Sequence, residues 1–156
     1  MLKPLIFLDI DGVLNDHSFA VNGCSTIKQS CVVAMNNVID AVDPEIVIHS
    51  SWRYMIHAGG MTLNGFSYML ETHGLKMRFD VVRSRIIGIT RRDEGYGSND
   101  DRAAQILAYE KPDRWVAIDN LPLSIEPKHF YQTNQQTGLT DACANKIIAL
   151  LQEVPE

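Results

Sequence analysis

The sequence predicts an α/β fold of three layers, with a mostly parallel central sheet. Three observations carry this. Short apolar runs without helical period recur along the chain, as in Leu5-Ile6-Phe7-Leu8, Ile46-Val47-Ile48 and Trp115-Val116-Ala117-Ile118. Such runs read as strands buried on both faces. Between them lie stretches with apolar residues three and four apart, the mark of amphipathic helices. Notable polar residues then stand directly after the strands, where ligands bind in open parallel sheets.

Taken in order, Lys3–Ile10 is the first strand, and Asp11–Cys24 is a loop rich in Gly, Asn and Asp. Ser25 or Thr26 is placed to cap a helix whose stripe is Ile27, Cys31, Val32, Met35, Val38, Ile39 and Val42. Asp43-Pro44 stops it. Ile46–Ile48 is the second strand, parallel to the first. Trp52–Ala58 reads as a short helix, and Phe66–His73 as another with Gly74 as its left-handed stop. Ile86–Ile89 is the third strand and Arg91–Asn99 a loop. Asn99 or Asp100 can cap a helix over Asp101–Tyr109, with Ala103, Ile106 and Leu107 facing inward. Trp115–Ile118 is the fourth strand and Phe130–Gln132 a fifth. Thr140-Asp141 opens a last helix through Leu151, with Ile147, Ile148 and Leu151 on its inner face.

The 156 residues suffice for one domain, 1–156, with a proper core. Hydrophobic residues are 46% and charged residues 21%, as in soluble globular proteins. The net charge of -5 leaves no basic stripe to hold a nucleic-acid backbone unaided. An anionic substrate therefore needs a local cation. No apolar run is long enough for a membrane span, and the N-terminal run is too short for a signal peptide. Cys24, Cys31 and Cys143 lack metal-ligand spacing and read as reduced thiols, pointing to the cytoplasm. No obligate protein partner is evident.

The chemistry concentrates at strand ends. Asp9 and Asp11 are two apart in an extended segment, so they project the same way. Carboxylates that close repel unless a cation or shared proton lies between them. A solvated Asp-Gly turn would explain this pair alone. Ser50 and Ser51 after the second strand, and Asp119 and Asn120 after the fourth, make it a constellation. His49, His57, His73 and His129 show no metal spacing.

Asp9-Ile10-Asp11-Gly12-Val13-Leu14-Asn15 resembles the first motif of the haloacid dehalogenase-like (HAD) hydrolases, a superfamily of three-layer Rossmann-like fold. Ile46–Ser50 resembles the second motif, Val116–Asn120 the fourth, and Arg102 matches the cation of the third. Ser51-Trp52-Arg53 and Thr137-Gly138-Leu139-Thr140 resemble the small phosphatase-like domain of multidomain RNA repair proteins. The resemblance implies Asp9 as nucleophile and Asp11 as general acid and base. It implies Mg²⁺ held by Asp9, the Asp11 carbonyl and Asp119, with Asn120, where many relatives carry a second acid, in the metal site holding a metal-bound water. Ser50, with Ser51 as fallback, would bind the phosphate. Arg102 would neutralise its charge, with Arg91 and Arg92 as other sources of that cation. The segments Asp16–Cys24 and Tyr54–Ser98 leave little for a cap domain, which leaves the site open to large substrates. The implied activity is a Mg²⁺-dependent phosphatase acting on a nucleotide, a nucleic-acid end or another large substrate. The alternatives are a small-molecule nucleotidase or phosphotransferase and, in another class, a catalytically silent binding or regulatory module.

Overall fold

In the computed structural model, residues 2–16, 26–50, 60–90 and 99–152 are described. Among them are five strands, β1 (Leu5–Leu8), β2 (Glu45–Ile48), β3 (Ile86–Ile89), β4 (Trp115–Asp119) and β5 (Phe130–Gln132). Four α-helices alternate with these, α1 (Gln29–Val42), α2 (Leu63–Thr72), α3 (Asn99–Ala108) and α4 (Asp141–Gln152). The sheet order is β3-β2-β1-β4-β5, with every neighbouring pair parallel. β1 is therefore central, which explains its uninterrupted apolar run: all four of its side chains are buried.

Strand alternation divides the core in two. Ile6, Leu8, Ile46, Ile48, Val116 and Ile118 face one layer, closed by α1, α2 and α4. Leu5, Phe7, Val47 and Ala117 face the other, closed by Ala103 and Ile106 of α3. On that second face Phe7 meets the edges of Tyr109 and Trp115, at centroid distances of 5.5 and 5.8 Å. Such edge-to-face pairs add about 0.5–1.5 kcal/mol each beyond the area they bury.

Several expected boundaries shift, each for a local reason. β1 ends at Leu8 because the chain coils at once: the Ile10 carbonyl accepts from both Val13 and Leu14 N–H. Residues 11–14 are thus a buried turn rather than the start of an open loop. Thr26 does not cap α1, and Ser25 lies outside the described residues. The helix begins two residues later, behind Lys28, whose N–H is tied to the Leu14 carbonyl at 2.8 Å. That bond holds residues 26–28 across the β1 turn and delays the helix. α2 starts at Leu63, ahead of the expected Phe66, because Thr62 Oγ1 accepts from Gly65 N–H at 2.9 Å. α3 already includes Asn99 and Asp100 instead of being capped by them. Leu107, expected inside, is exposed. The Trp52–Ala58 helix, the Arg91–Ser98 stretch, Arg53, His57 and Cys24 lie outside the described residues.

The loop between β5 and α4 locks onto the β1 turn. Thr133 Oγ1 donates to the Gly12 carbonyl at 2.7 Å, and Leu139 N–H to the Val13 carbonyl at 2.8 Å. Gly138 has φ +65°, and a Cβ there would lie 2.6 Å from the Asn15 carbonyl oxygen and 2.7 Å from Cys31 Sγ. Gly74 also has positive φ, but a Cβ there would meet nothing nearer than 3.6 Å. Left-handed backbone costs a side chain about 1–2 kcal/mol, and overpacking adds about 1–3. Gly74→Ala should therefore lose about 1 kcal/mol and Gly138→Ala at least about 2, measured by urea denaturation. Equal losses would mean that the loop yields to the added methyl.

Candidate active site

The hydrogen-bond ladders run one residue beyond the strands at the carboxyl edge of the sheet. Asp9 N–H donates to Ile118 O, His49 N–H to Leu8 O, Thr90 N–H to Ile48 O and Thr133 N–H to Asp119 O, at 2.8–3.1 Å. These bonds put Asp9 at the centre of that edge, flanked by the ends of β2 and β4.

Asp9 is 4% exposed and Asp119 1%. Arg102, from the first turns of α3, reaches both. Its Nη2 lies 2.7 Å from Asp119 Oδ2 and 3.6 Å from Asp9 Oδ1. The expected cation is at the site, with Asp119 as its nearer partner. Ile10 N–H donates to Asp9 Oδ1 and Leu121 N–H to Asp119 Oδ1, each at 2.9 Å. Burial still pushes the Asp9 carboxyl well above the ordinary carboxylate range, and the charge on Asp119 pushes it further. Arg102 and the Ile10 N–H pull it back.

Three oxygens converge beside Asp9. One terminal atom of the Asn120 side-chain amide lies 3.0 Å from Asp9 Oδ2, 3.2 Å from Asp119 Oδ1 and 3.2 Å from the Asp11 carbonyl oxygen. A Cβ on Gly12 would fall within 2.7–2.9 Å of that Asn120 side chain, so only glycine leaves it room. Two carboxylates and one carbonyl form an oxygen-only donor set of the kind a hard divalent cation takes. Among the described residues no three His, Cys, Asp or Glu side chains gather as a metal cluster. A cation here would depend on the main-chain carbonyl as its third protein ligand.

Asp11 is held apart from this group. Asn15, buried in the same turn, donates from Nδ2 to Asp11 Oδ1 at 2.9 Å and accepts from Gly12 N–H through Oδ1 at 2.8 Å. Of the remaining expected residues, Ser50 is fully buried two residues past the end of β2. Ser51, Arg91 and Arg92 lie outside the described residues.

A scan against protein families matches residues 5–144 to the HAD domain in Swiss Army Knife RNA repair proteins. The chain belongs to this family. Neither the curated proteins nor the solved structures gave a match. The RNA-repair-like segment Thr137–Thr140 of this HAD domain is the loop that clamps the β1 turn.

Three supporting residues escaped the sequence reading. Asn15 closes the first motif, and its spacing of four from Asp11 across a glycine was the available signal. Thr133 left none, since its bond to Gly12 spans 121 positions. His49, read as ordinary, is buried with Nδ1 2.8 Å from Thr90 Oγ1, a pairing that joins the ends of β2 and β3.

Asn15→Ala strips the acceptor from a buried N–H and removes one hydrogen bond to the Asp11 carboxylate. We predict a loss of about 1–3 kcal/mol in chemical denaturation, the usual cost of an orphaned buried donor. A loss within about 0.3 kcal/mol would show that the Gly12 N–H does not depend on Asn15.

Proposed function

We propose that this HAD domain is a Mg²⁺-dependent phosphatase. In this reading it hydrolyses phosphate monoesters on a nucleotide, a nucleic-acid end or another large substrate through an aspartyl-phosphate on Asp9. The convergence of Asp9 Oδ2, the Asp11 carbonyl and Asp119 Oδ1 on one point, with Arg102 alongside, is the observation that supports it.

The two motif carboxylates differ in environment, and the difference suits different roles. Asp9 is buried beside a cation. It can attack phosphorus only when ionised, whereas burial and Asp119 favour its protonated form. Mg²⁺ bound by Asp9, the Asp11 carbonyl and Asp119, with Asn120 at its margin, would supply the charge that keeps Asp9 ionised and masks it from the incoming phosphate.

Asp11 is half-buried, with one carboxylate oxygen held by Asn15. As Asp9 attacks and the ester P–O bond breaks, Asp11 gives its proton to the leaving oxygen. Asp11 then takes a proton from water, and that water splits the acyl phosphate to return Asp9 and inorganic phosphate. Ser50 would donate its hydroxyl to a phosphoryl oxygen, and Arg102 would balance the charge on the pentacoordinate phosphorus. Ser51 stays the alternative donor, and Arg91 and Arg92 the alternative cations. The substrate class takes its direction from the RNA repair proteins for which the family is described. A reducing, cytoplasmic setting suits Cys31 and Cys143, both buried free thiols. Among the described residues no helix is long and apolar enough to cross a membrane.

The decisive experiment sets 5′- and 3′-phosphorylated oligonucleotides against free nucleotides and small phosphate esters, with Mg²⁺ and with chelator. Preference for oligonucleotide ends supports the reading, and preference for free nucleotides favours a nucleotidase. No Mg²⁺-dependent release of phosphate from any of them would leave a silent module. Within an active protein, Asp9→Asn should cut turnover at least about a hundredfold, because an amide cannot serve as the nucleophile. Asp11→Asn should slow alkyl and sugar phosphates far more than an activated aryl phosphate, whose leaving group needs no proton. Equal losses on both substrates would remove Asp11 from the acid role. Ser50→Ala and Arg102→Ala should each lower kcat/KM by about a hundredfold or more, the scale of one preorganised donor. Retention of near wild-type kcat/KM in either would reassign that contact to Ser51, or to Arg91 or Arg92.

A further inference from the structure

Asn15 holds two groups of the β1 turn at once. Its Oδ1 accepts from Gly12 N–H at 2.8 Å, and its Nδ2 donates to Asp11 Oδ1 at 2.9 Å. A backbone N–H can only donate, so the amide has one orientation here, oxygen to Gly12 and nitrogen to Asp11. Asn15 is 1% exposed, and Gly138 packs against its carbonyl.

The two bonds govern different parts of the site. Gly12 N–H and the Asp11 carbonyl share one peptide plane and point opposite ways, so holding the first aims the second. The bond from Nδ2 acts on the Asp11 carboxyl. Of its two oxygens, the protonated one is the poorer acceptor. With Oδ1 facing Nδ2, the acid proton therefore resides on Oδ2. Oδ2 passes that proton to the leaving ester oxygen as the P–O bond breaks. The alcohol departs and Asp11 is left a carboxylate. The bond from Nδ2 then becomes charge-assisted, and such bonds are about twice as strong as neutral ones. That gain develops in the transition state, where it lowers the barrier.

We propose that Asn15 is a positioning residue for proton transfer. It assigns the acid proton to Asp11 Oδ2 and stabilises the carboxylate left behind. It acts through Asp11 and not on the substrate. The inference deepens the phosphatase reading and rests on it, through the acid role of Asp11.

The test compares the wild-type chain with Asn15→Asp and Asn15→Ala in the presence of Mg²⁺. Each is assayed on the alkyl phosphate that the wild type hydrolyses fastest and on an activated aryl phosphate, with folding checked by circular dichroism. Asn15→Asp keeps an acceptor for Gly12 N–H and loses the donor to Asp11, whereas Asn15→Ala loses both. In Asn15→Asp, kcat for the alkyl ester should fall at least about tenfold further than kcat for the aryl ester, whose leaving group needs no proton. KM for the alkyl ester should stay within about threefold. Asn15→Ala should show the same selective loss plus a loss common to both esters. Added to Asp11→Asn, Asn15→Asp should cost the alkyl ester less than about threefold more, since the acid it serves is gone.

Equal losses on the two esters in Asn15→Asp would overturn the role of Asn15 and leave the phosphatase reading standing. If neither variant folds, the side-chain amide signals of Asn15 in nuclear magnetic resonance decide. They should shift between the wild type and Asp11→Asn, and signals that stay in place overturn the proposal. A wild type that releases phosphate from no ester overturns both.

Discussion

Two carboxylates with almost no access to water, Asp9 and Asp119, lie at the carboxyl edge of one small sheet. Taking a charge out of water costs several kcal/mol even after the protein relaxes, and a like charge beside it adds to the cost. Much of the surrounding structure offsets that cost. Arg102 approaches from α3, and the Ile10 and Leu121 N–H groups aim at the two carboxylates. The position of α3 follows from the same demand. Ala103 and Ile106 seat the helix on the sheet, and Arg102, next to Ala103, reaches over the strand ends.

Around this charged centre lies a layer of neutral hydrogen bonds that fixes the backbone. Asn15 braces Asp11 and Gly12, Thr133 ties the Gly12 carbonyl to the end of β4, and His49 pairs with Thr90 across β2 and β3. These residues need touch no substrate to matter, because a carbonyl can join a ligand set only if its peptide plane is held. The Asp11 carbonyl is in that position, with Gly12 bonded at both its N–H and its C=O.

The sheet was legible because burial on both faces erases polar alternation, and β1, β2 and β4 each carry that mark. β3 and β5 were found to the residue, since turn-forming stretches bound them closely. Helix starts were less legible. α1 begins late because a backbone bond from Lys28 to Leu14 overrides the capping preference of Thr26. Leu107 follows helical spacing yet faces outward, since periodicity gives a stripe but not its width. At the site, strand ends announced Asp9, Asp119 and Ser50, and helix position announced Arg102. Thr133 was not legible, because a bond between distant segments leaves no local pattern.

The β1 turn draws its last supports from the far end of the chain. The carbonyls of Gly12 and Val13 find their donors at Thr133 and Leu139, and Gly138 packs on Asn15 and Cys31. Contacts of such long sequence separation form late, because the intervening chain must be ordered first. During synthesis, the motif that opens the chain emerges long before the segment that braces it. A nascent chain ending before residue 133 would hold Asp9, Asp11 and Asp119 in sequence but without the brace that aims the Asp11 carbonyl. The Asp11 carbonyl thus lacks these braces until the ribosome has delivered nearly the whole domain.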